Sequence, residues 1–302
     1  MTSALPKINF KKSFEKNLSG LAAYFVREAM KELAATPFNA SHIHKARLQF
    51  KRFRALVRMA RFGLEKEESR RLDHFFRDQG RALSSLRDLE VMLESIKPFI
   101  KAIPLGEEHT LLTRFRARLL DQQKKLHKKE KEAQARREVI HRLTRMQEEI
   151  PSWKPQEESP WVFLSGTRVC FNACRKRFRV LKKASNDQTL HNWRKEVKWL
   201  WYQMELLSDL WPVRFDAWIN DLKTLSQGLG RHHDLVLLES AFLQFIQEEK
   251  EIDRLLIIKK IKKEKSDIEA KVYSLGNLFF SVKGSCFYRQ LRACVKEFEK
   301  PT

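Results

Sequence analysis

His44-Lys-Ala-Arg47-Leu-Gln-Phe50-Lys51-Arg52-Phe53-Arg54-Ala-Leu-Val57-Arg58-Met-Ala60-Arg61 reads as one helix with two faces. At about 100° per residue, His44, Arg47, Lys51, Arg54, Arg58 and Arg61 fall within an arc of about 100°. Ile43, Ala46, Phe50, Phe53, Val57 and Ala60 occupy the adjoining arc, which an amphipathic helix buries against its neighbours. Solvated faces ordinarily interleave both signs, because like charges at i, i+4 repel by about 0.2–0.5 kcal/mol per pair. No Asp or Glu occurs from Asn39 to Leu64, so this single-sign stripe makes sense where anions neutralise it.

The same helical period extends in both directions. It predicts helices over 10–36, 41–62, 66–82, 87–101, 107–150, 161–184, 188–210, 213–229, 233–250, 251–275 and 285–300. Prolines 37, 98, 104, 151, 155, 160 and 212 fall where helices are expected to stop. Nine Gly and nine Pro in 302 residues are few for a hairpin-built protein, and alternating Val, Ile and Thr runs are missing. The fold class expected is all-α. Three prolines within 151–160 mark a linker between two units, 10–150 and 161–300.

Those units resemble each other. His44-x-x-Arg47-x-x-x-Lys51 matches His191-x-x-Arg194-x-x-x-Lys198 at an offset of 147. Ala82-Leu83-Ser-Ser-Leu-Arg87-Asp88-Leu89 matches Gly228-Leu229-Gly-Arg-His-His233-Asp234-Leu235 at 146. Two matches at nearly one offset indicate a tandem duplication of a helical unit.

Sixty Lys and Arg against 38 Asp and Glu give a net charge of +22, divided as +14 over 1–150 and +8 over 151–302. Self-repulsion on that scale favours an anionic partner. With 42% hydrophobic and 11% aromatic residues the chain is no disordered basic tail. No run of about 18 apolar residues is present, so membrane insertion is not expected. The N-terminus lacks a secretory apolar stretch, and the four cysteines form no disulfide framework, which predicts a cytoplasmic setting.

Two further stripes accompany the first: Arg70, His74, Arg77 and Arg81, and Arg168, Arg175, Arg179 and Lys182. Packed side by side, three such stripes would line a groove of focused positive potential. Arg forks, Lys ammonium groups and titratable His rings all suit phosphoryl oxygens, with little dependence on base identity and much on salt.

Other chemistries fit less well. His74, His232 and His233 with Asp88 or Asp234 could ligate metal, but the surrounding Lys and Arg would repel a divalent cation, so no metal or cofactor is expected. Asp88 and Asp234 are expected to open helices as caps or first-turn acids. No carboxylate cluster for Mg²⁺, P-loop, G-x-S-x-G or H-E-x-x-H occurs, which argues against an enzyme. Lys259–Lys265 reads as a solvated helix end. Cys170, Cys174, Phe171, Phe178, Trp193 and Trp199 read as core or junction packing.

At these motifs the sequence resembles the CHAD family, the conserved histidine α-helical domain, from about residue 10 to 300. The resemblance rests on His44-x-x-Arg47-x-x-x-Lys51-Arg52-x-Arg54 with Leu86-Arg87-Asp88. In the second half it rests on His191-x-x-Arg194-x-x-x-Lys198 with Tyr202 and Leu229-Gly230-x-x-x-Asp234. It implies two four-helix-type bundles related by a pseudo-two-fold, with a basic channel at their junction that holds inorganic polyphosphate. Carried over, His44, Arg47, Lys51, Arg54, Arg87, His191, Arg194 and Lys198 become expected ligands, and Lys223 takes the place equivalent to Arg77. The stripe residues Arg52, Arg58, His74, Arg77, Arg81, Arg168, Arg175, Arg179 and Lys182 complete the expected site. Such a protein would gather at polyphosphate granules, and nucleic acid is the alternative polyanion. The second motif departs from the family where basic residues give way to Trp199 and Trp201, with Glu205 on the same face. Fewer phosphate contacts are expected there unless the Arg168–Lys182 stripe substitutes. With no catalytic triphosphate-tunnel domain alongside, a stand-alone binding module is expected.

Overall fold

A computed structural model describes residues 5–83, 87–126, 129–248 and 256–299; the side chains of 87–88, 126 and 129–132 also lie outside this description. Among the described residues the structure is helical, with no strand. The helices are α1 Phe14–Ala34, α2 Ala40–Met59, α3 Lys66–Ala82, α4 Arg87–Ala102, α5 Glu107–Leu126, α6 Lys129–Glu149, α7 Val162–Lys183, α8 Asp187–Leu206, α9 Pro212–Glu248, α10 Leu256–Phe279 and α11 Gly284–Phe298.

The duplication is visible in how the helices begin. Asn39 caps α2 and Asn186 caps α8, 147 residues apart, and each closes a reciprocal box with the residue three places on, His42 and Thr189 respectively. A cap of this kind satisfies backbone N–H groups that otherwise lack partners in the first turn. The helix pairs α1–α2 and α2–α3 recur as α7–α8 and α8–α9.

Two sequence expectations are corrected. The break predicted between 229 and 233 does not occur: α9 runs unbroken through Gly228 and Gly230. Glycine there permits close approach, since a Cβ on Gly228 would lie 2.8 Å from Val272 Cγ1 of α10. Asp234 therefore sits mid-helix instead of opening one. Both α5 and α6 lie within the helix predicted over 107–150, whose residues 127–128 fall outside the described residues. Pro98 also lies inside α4, which continues one turn beyond it.

The main core draws on both sequence halves, with Phe14, Phe25, Phe50, Phe53 and Phe76 joined to Phe163, Phe171, Trp193 and Phe215. A second core lies among α4, α5, the C-terminal half of α9 and the start of α10, around Phe99, Phe115, Phe242 and Ile261. Segment 151–160 is tied down: Phe14 N–H donates to the Glu158 carbonyl at 2.7 Å and Gln156 N–H to that of Gly63 at 3.0 Å. Trp153 meets Phe53 edge-on at 6.3 Å. Cys170 and Cys174 are buried thiols.

Candidate anion-binding site

Helices α2 and α8 pack antiparallel. Arg52 faces Glu205 (3.1 Å), the Ala55 carbonyl accepts from Gln203 Nε2 (3.1 Å), and Arg58 faces Trp199, so the numbering falls along α8 as it rises along α2. Adding 147 to Arg52 gives Trp199, and adding it to Arg58 gives Glu205. The contacts Arg52–Glu205 and Arg58–Trp199 are therefore pseudo-two-fold copies of one contact. Identical halves would set Arg against Arg twice. The departures at 199 and 205 replace that repulsion with an ion pair on one side and a cation–π contact on the other.

Around the crossing the first stripe is partly engaged within the protein. Arg54 makes a two-pronged contact with Asp73, Nε to Oδ1 at 3.1 Å and Nη2 to Oδ2 at 3.0 Å. Arg58 Nε lies 3.4 Å from the same carboxylate. Both guanidinium groups stand over the Trp199 ring, at 4.9 and 4.8 Å from its centre. Such stacking contributes about 0.5–2 kcal/mol and holds the forks rigid. Further from the crossing, Arg47 Nη1 donates to the Leu83 carbonyl at 3.1 Å, Lys51 is half-buried and His44 is exposed. Arg87 and Asp88 open α4, and their side chains lie outside the described residues.

On α8, His191, Arg194 and Lys198 are half-buried beside α9. The His191 and His233 rings lie 4.5 Å apart at 40°. Burial, followed by Arg194 and its cationic neighbours, pulls His233 down to about 4, and burial with Lys195 and Arg194 lowers His191 as well. The adjacent His232 is buried, and its ring Nε2 lies 2.9 Å from Glu269 Oε1 of α10 and 3.7 Å from Asp187 at the start of α8.

The second stripe continues the first along α3. Val57, Arg58, Arg61, Lys66, Ser69, Arg70, Asp73 and His74 line an open cavity of about 280 Å³. Arg77 donates to Asp78 at 2.9 Å, and Arg81 approaches the same carboxylate at 3.7 Å. The third stripe points elsewhere. Arg175 Nε donates to the Phe280 carbonyl at 3.1 Å, Lys182 to Asn277 Oδ1 at 2.8 Å, and Arg168 stands over Tyr288 at 5.2 Å. These three hold the ends of α10 and α11, while Arg179 and Lys223 are exposed. The structure thus joins the α2 and α3 stripes at Asp73, sets α8 against them through Trp199, places His191, Arg194 and Lys198 beside α9, and leaves the α7 residues apart. In the lysine-rich segment, Lys260 donates to the Ala102 carbonyl and Lys265 pairs with Glu239 and Asp187.

Asp73 escaped the sequence reading, and His233 entered it as a metal candidate and a repeat position, not as an anion ligand. Asp73 sits three residues after Arg70, in phase with its stripe, so its place among cations was available from helical spacing. His233 had a signal too, in its alignment with Arg87.

No curated protein matches the chain. Among solved structures, the chain is similar to the crystal structure of the CHAD domain from the plant Ricinus communis, with a TM-score of 0.58 and 15% identity over 97% of this chain and 96% of that one. At that identity the likeness concerns the fold. The sequence pattern of the CHAD domain matches residues 26–243, spanning both motifs and most of α9. Matched over well over half its length, the chain belongs to the CHAD domain family.

Proposed function

We propose that the protein binds inorganic polyphosphate, without catalysis, along the basic faces of α2, α3 and α8. The observation that carries this reading is the crossing of the two motif helices. Arg54 and Arg58 of the first motif rest on Trp199, the chain neighbour of Lys198 in the second. Each motif helix has 20 residues, about 30 Å of track, which suits a linear polymer better than a compact ligand.

Nucleic acid is the competing polyanion. Phe171, Phe178 and Trp193 are buried and Trp199 is covered by two guanidinium groups, which leaves Phe62, beside Arg61, as the exposed aromatic next to the first stripe on which a single-stranded base could stack. The test is competition at equal phosphate concentration. Polyphosphate should displace labelled polyphosphate far better than duplex DNA or RNA does, and displacement by nucleic acid would reverse the assignment. Polyphosphate at a hundredfold excess over Kd should also stabilise the fold by about 2.7 kcal/mol. No orthophosphate should be released with Mg²⁺ or Mn²⁺. Replacing Arg47, Lys51, Arg194 and Lys198 by Ala should abolish binding while the helical circular dichroism persists.

A further inference from the structure

We propose that His233 and His191 together form a phosphoryl site at the outer end of the second motif, and that this site takes up protons when it binds. The proposal rests on the polyphosphate reading and deepens it. It begins with a difference between the halves: the position that carries Arg87 in the first carries His233 in the second. A permanent cation has been exchanged for a titratable one.

The surroundings make the exchange consequential. His233 faces His191, Arg194 and Lys198 of α8 and stands beside His232 of its own helix. Arg194 lies against Gly230, one turn earlier on α9, where a Cβ would meet its Nε at 3.8 Å. His191 is flanked by Lys195 as well, and its Nδ1 is shut off from solvent without a hydrogen-bond partner. Of the acids nearby, Asp187 and Glu269 are engaged by His232, Asp187 also by Lys265, and Asp234 follows His233 on α9. Desolvation and the neighbouring cations favour the neutral form of both imidazoles.

A phosphoryl group reverses that balance. Its negative charge offsets Arg194 and Lys198, and each imidazolium can donate an N–H to one of its oxygens, so binding favours the protonated rings. Linkage then requires that binding take up protons and that affinity rise as pH falls, by up to about tenfold per pH unit for each proton. The inner phosphoryl groups of long-chain polyphosphate are ionised throughout, so the protons enter the protein. Arg87 keeps its charge at every relevant pH, so the first half should respond little.

The experiment is titration of the whole chain with long-chain polyphosphate at constant ionic strength, from pH 5.5 to 8, by calorimetry in buffers of different ionisation enthalpy. Net proton uptake near pH 6.5 and an affinity several-fold higher at pH 6 than at pH 8 are expected. His233→Arg should raise affinity at pH 8 and make the profile shallower; His233→Gln should reduce the gain at low pH to the share of His191. The inference is overturned if binding is tight but pH-independent, or if His233→Arg keeps the wild-type slope, which would place the proton uptake elsewhere in the protein. Should the Arg variant fail to fold, the Gln variant and the proton count decide. Absence of binding at any pH would overturn the polyphosphate reading itself.

Discussion

A neutral imidazole held among cations makes the empty protein sensitive to acid. His233 titrates at about 4 in the fold against an ordinary value near 6.5, with burial the larger cause and Arg194 the next. Between these values the unfolded chain binds more protons than the native one, so stability rises with pH across the window and is lost as pH falls from about 6.5 toward 4. His191 acts in the same sense. The urea midpoint of the ligand-free protein should therefore drop on acidification from pH 7.5 to 4.5. His233→Gln, which removes the titration, should show a smaller drop. An equal drop in both would mean that other groups govern the acid limb. Polyphosphate should restore the wild-type midpoint at low pH, because the ligand supplies the charge that the fold lacks.

Helices here approach each other through glycine at particular places. Gly166 on α7 brings that helix against α2 so closely that a Cβ would sit 1.9 Å from the Met59 carbonyl oxygen. That atom belongs to backbone and cannot swing aside, so Gly166→Ala should cost about 1–3 kcal/mol or more. Gly230 has room, since its Cβ would meet only Arg194 at ordinary contact distance. Gly230→Ala should stabilise α9 by about 0.5–1 kcal/mol. Thermal melts of the two variants check the pair, and similar shifts would refute this reading of the close approach. The same glycines show where sequence reading stopped. The amphipathic period of 41–62 announces α2 locally, because periodicity acts within one helix. Whether Gly228 ends a helix or admits α10 depends on Val272, which lies 44 residues away and cannot be weighed from local pattern. The α7 stripe illustrates the same limit: its spacing matches that of α2, yet Phe280, Asn277 and Tyr288 meet it from the other side.

For the whole molecule, the +22 charge is organised by a duplicated core whose two halves have diverged at their shared axis. Glu205 and Trp199 are the asymmetric answers to Arg52 and Arg58, and Asp73 adds a carboxylate beneath Arg54 and Arg58. These groups offset the charge of a cationic junction, and on the proposed reading they would compete with phosphate for the same guanidinium forks. The competition gives stability and affinity opposite signs. Glu205→Gln removes the partner of Arg52 in a half-buried pair, and Asp73→Asn removes the shared partner of Arg54 and Arg58. Each should lower the stability of the empty protein by about 1.5–3 kcal/mol, the worth of a charged hydrogen bond. Each should also tighten polyphosphate binding and steepen its dependence on log salt by about one unit, as one more cation becomes available. Salt titrations of the two variants beside wild type measure both effects. Weaker binding would show that the carboxylates serve the ligand by holding the forks in place, and an unchanged salt slope would place the polymer away from the crossing.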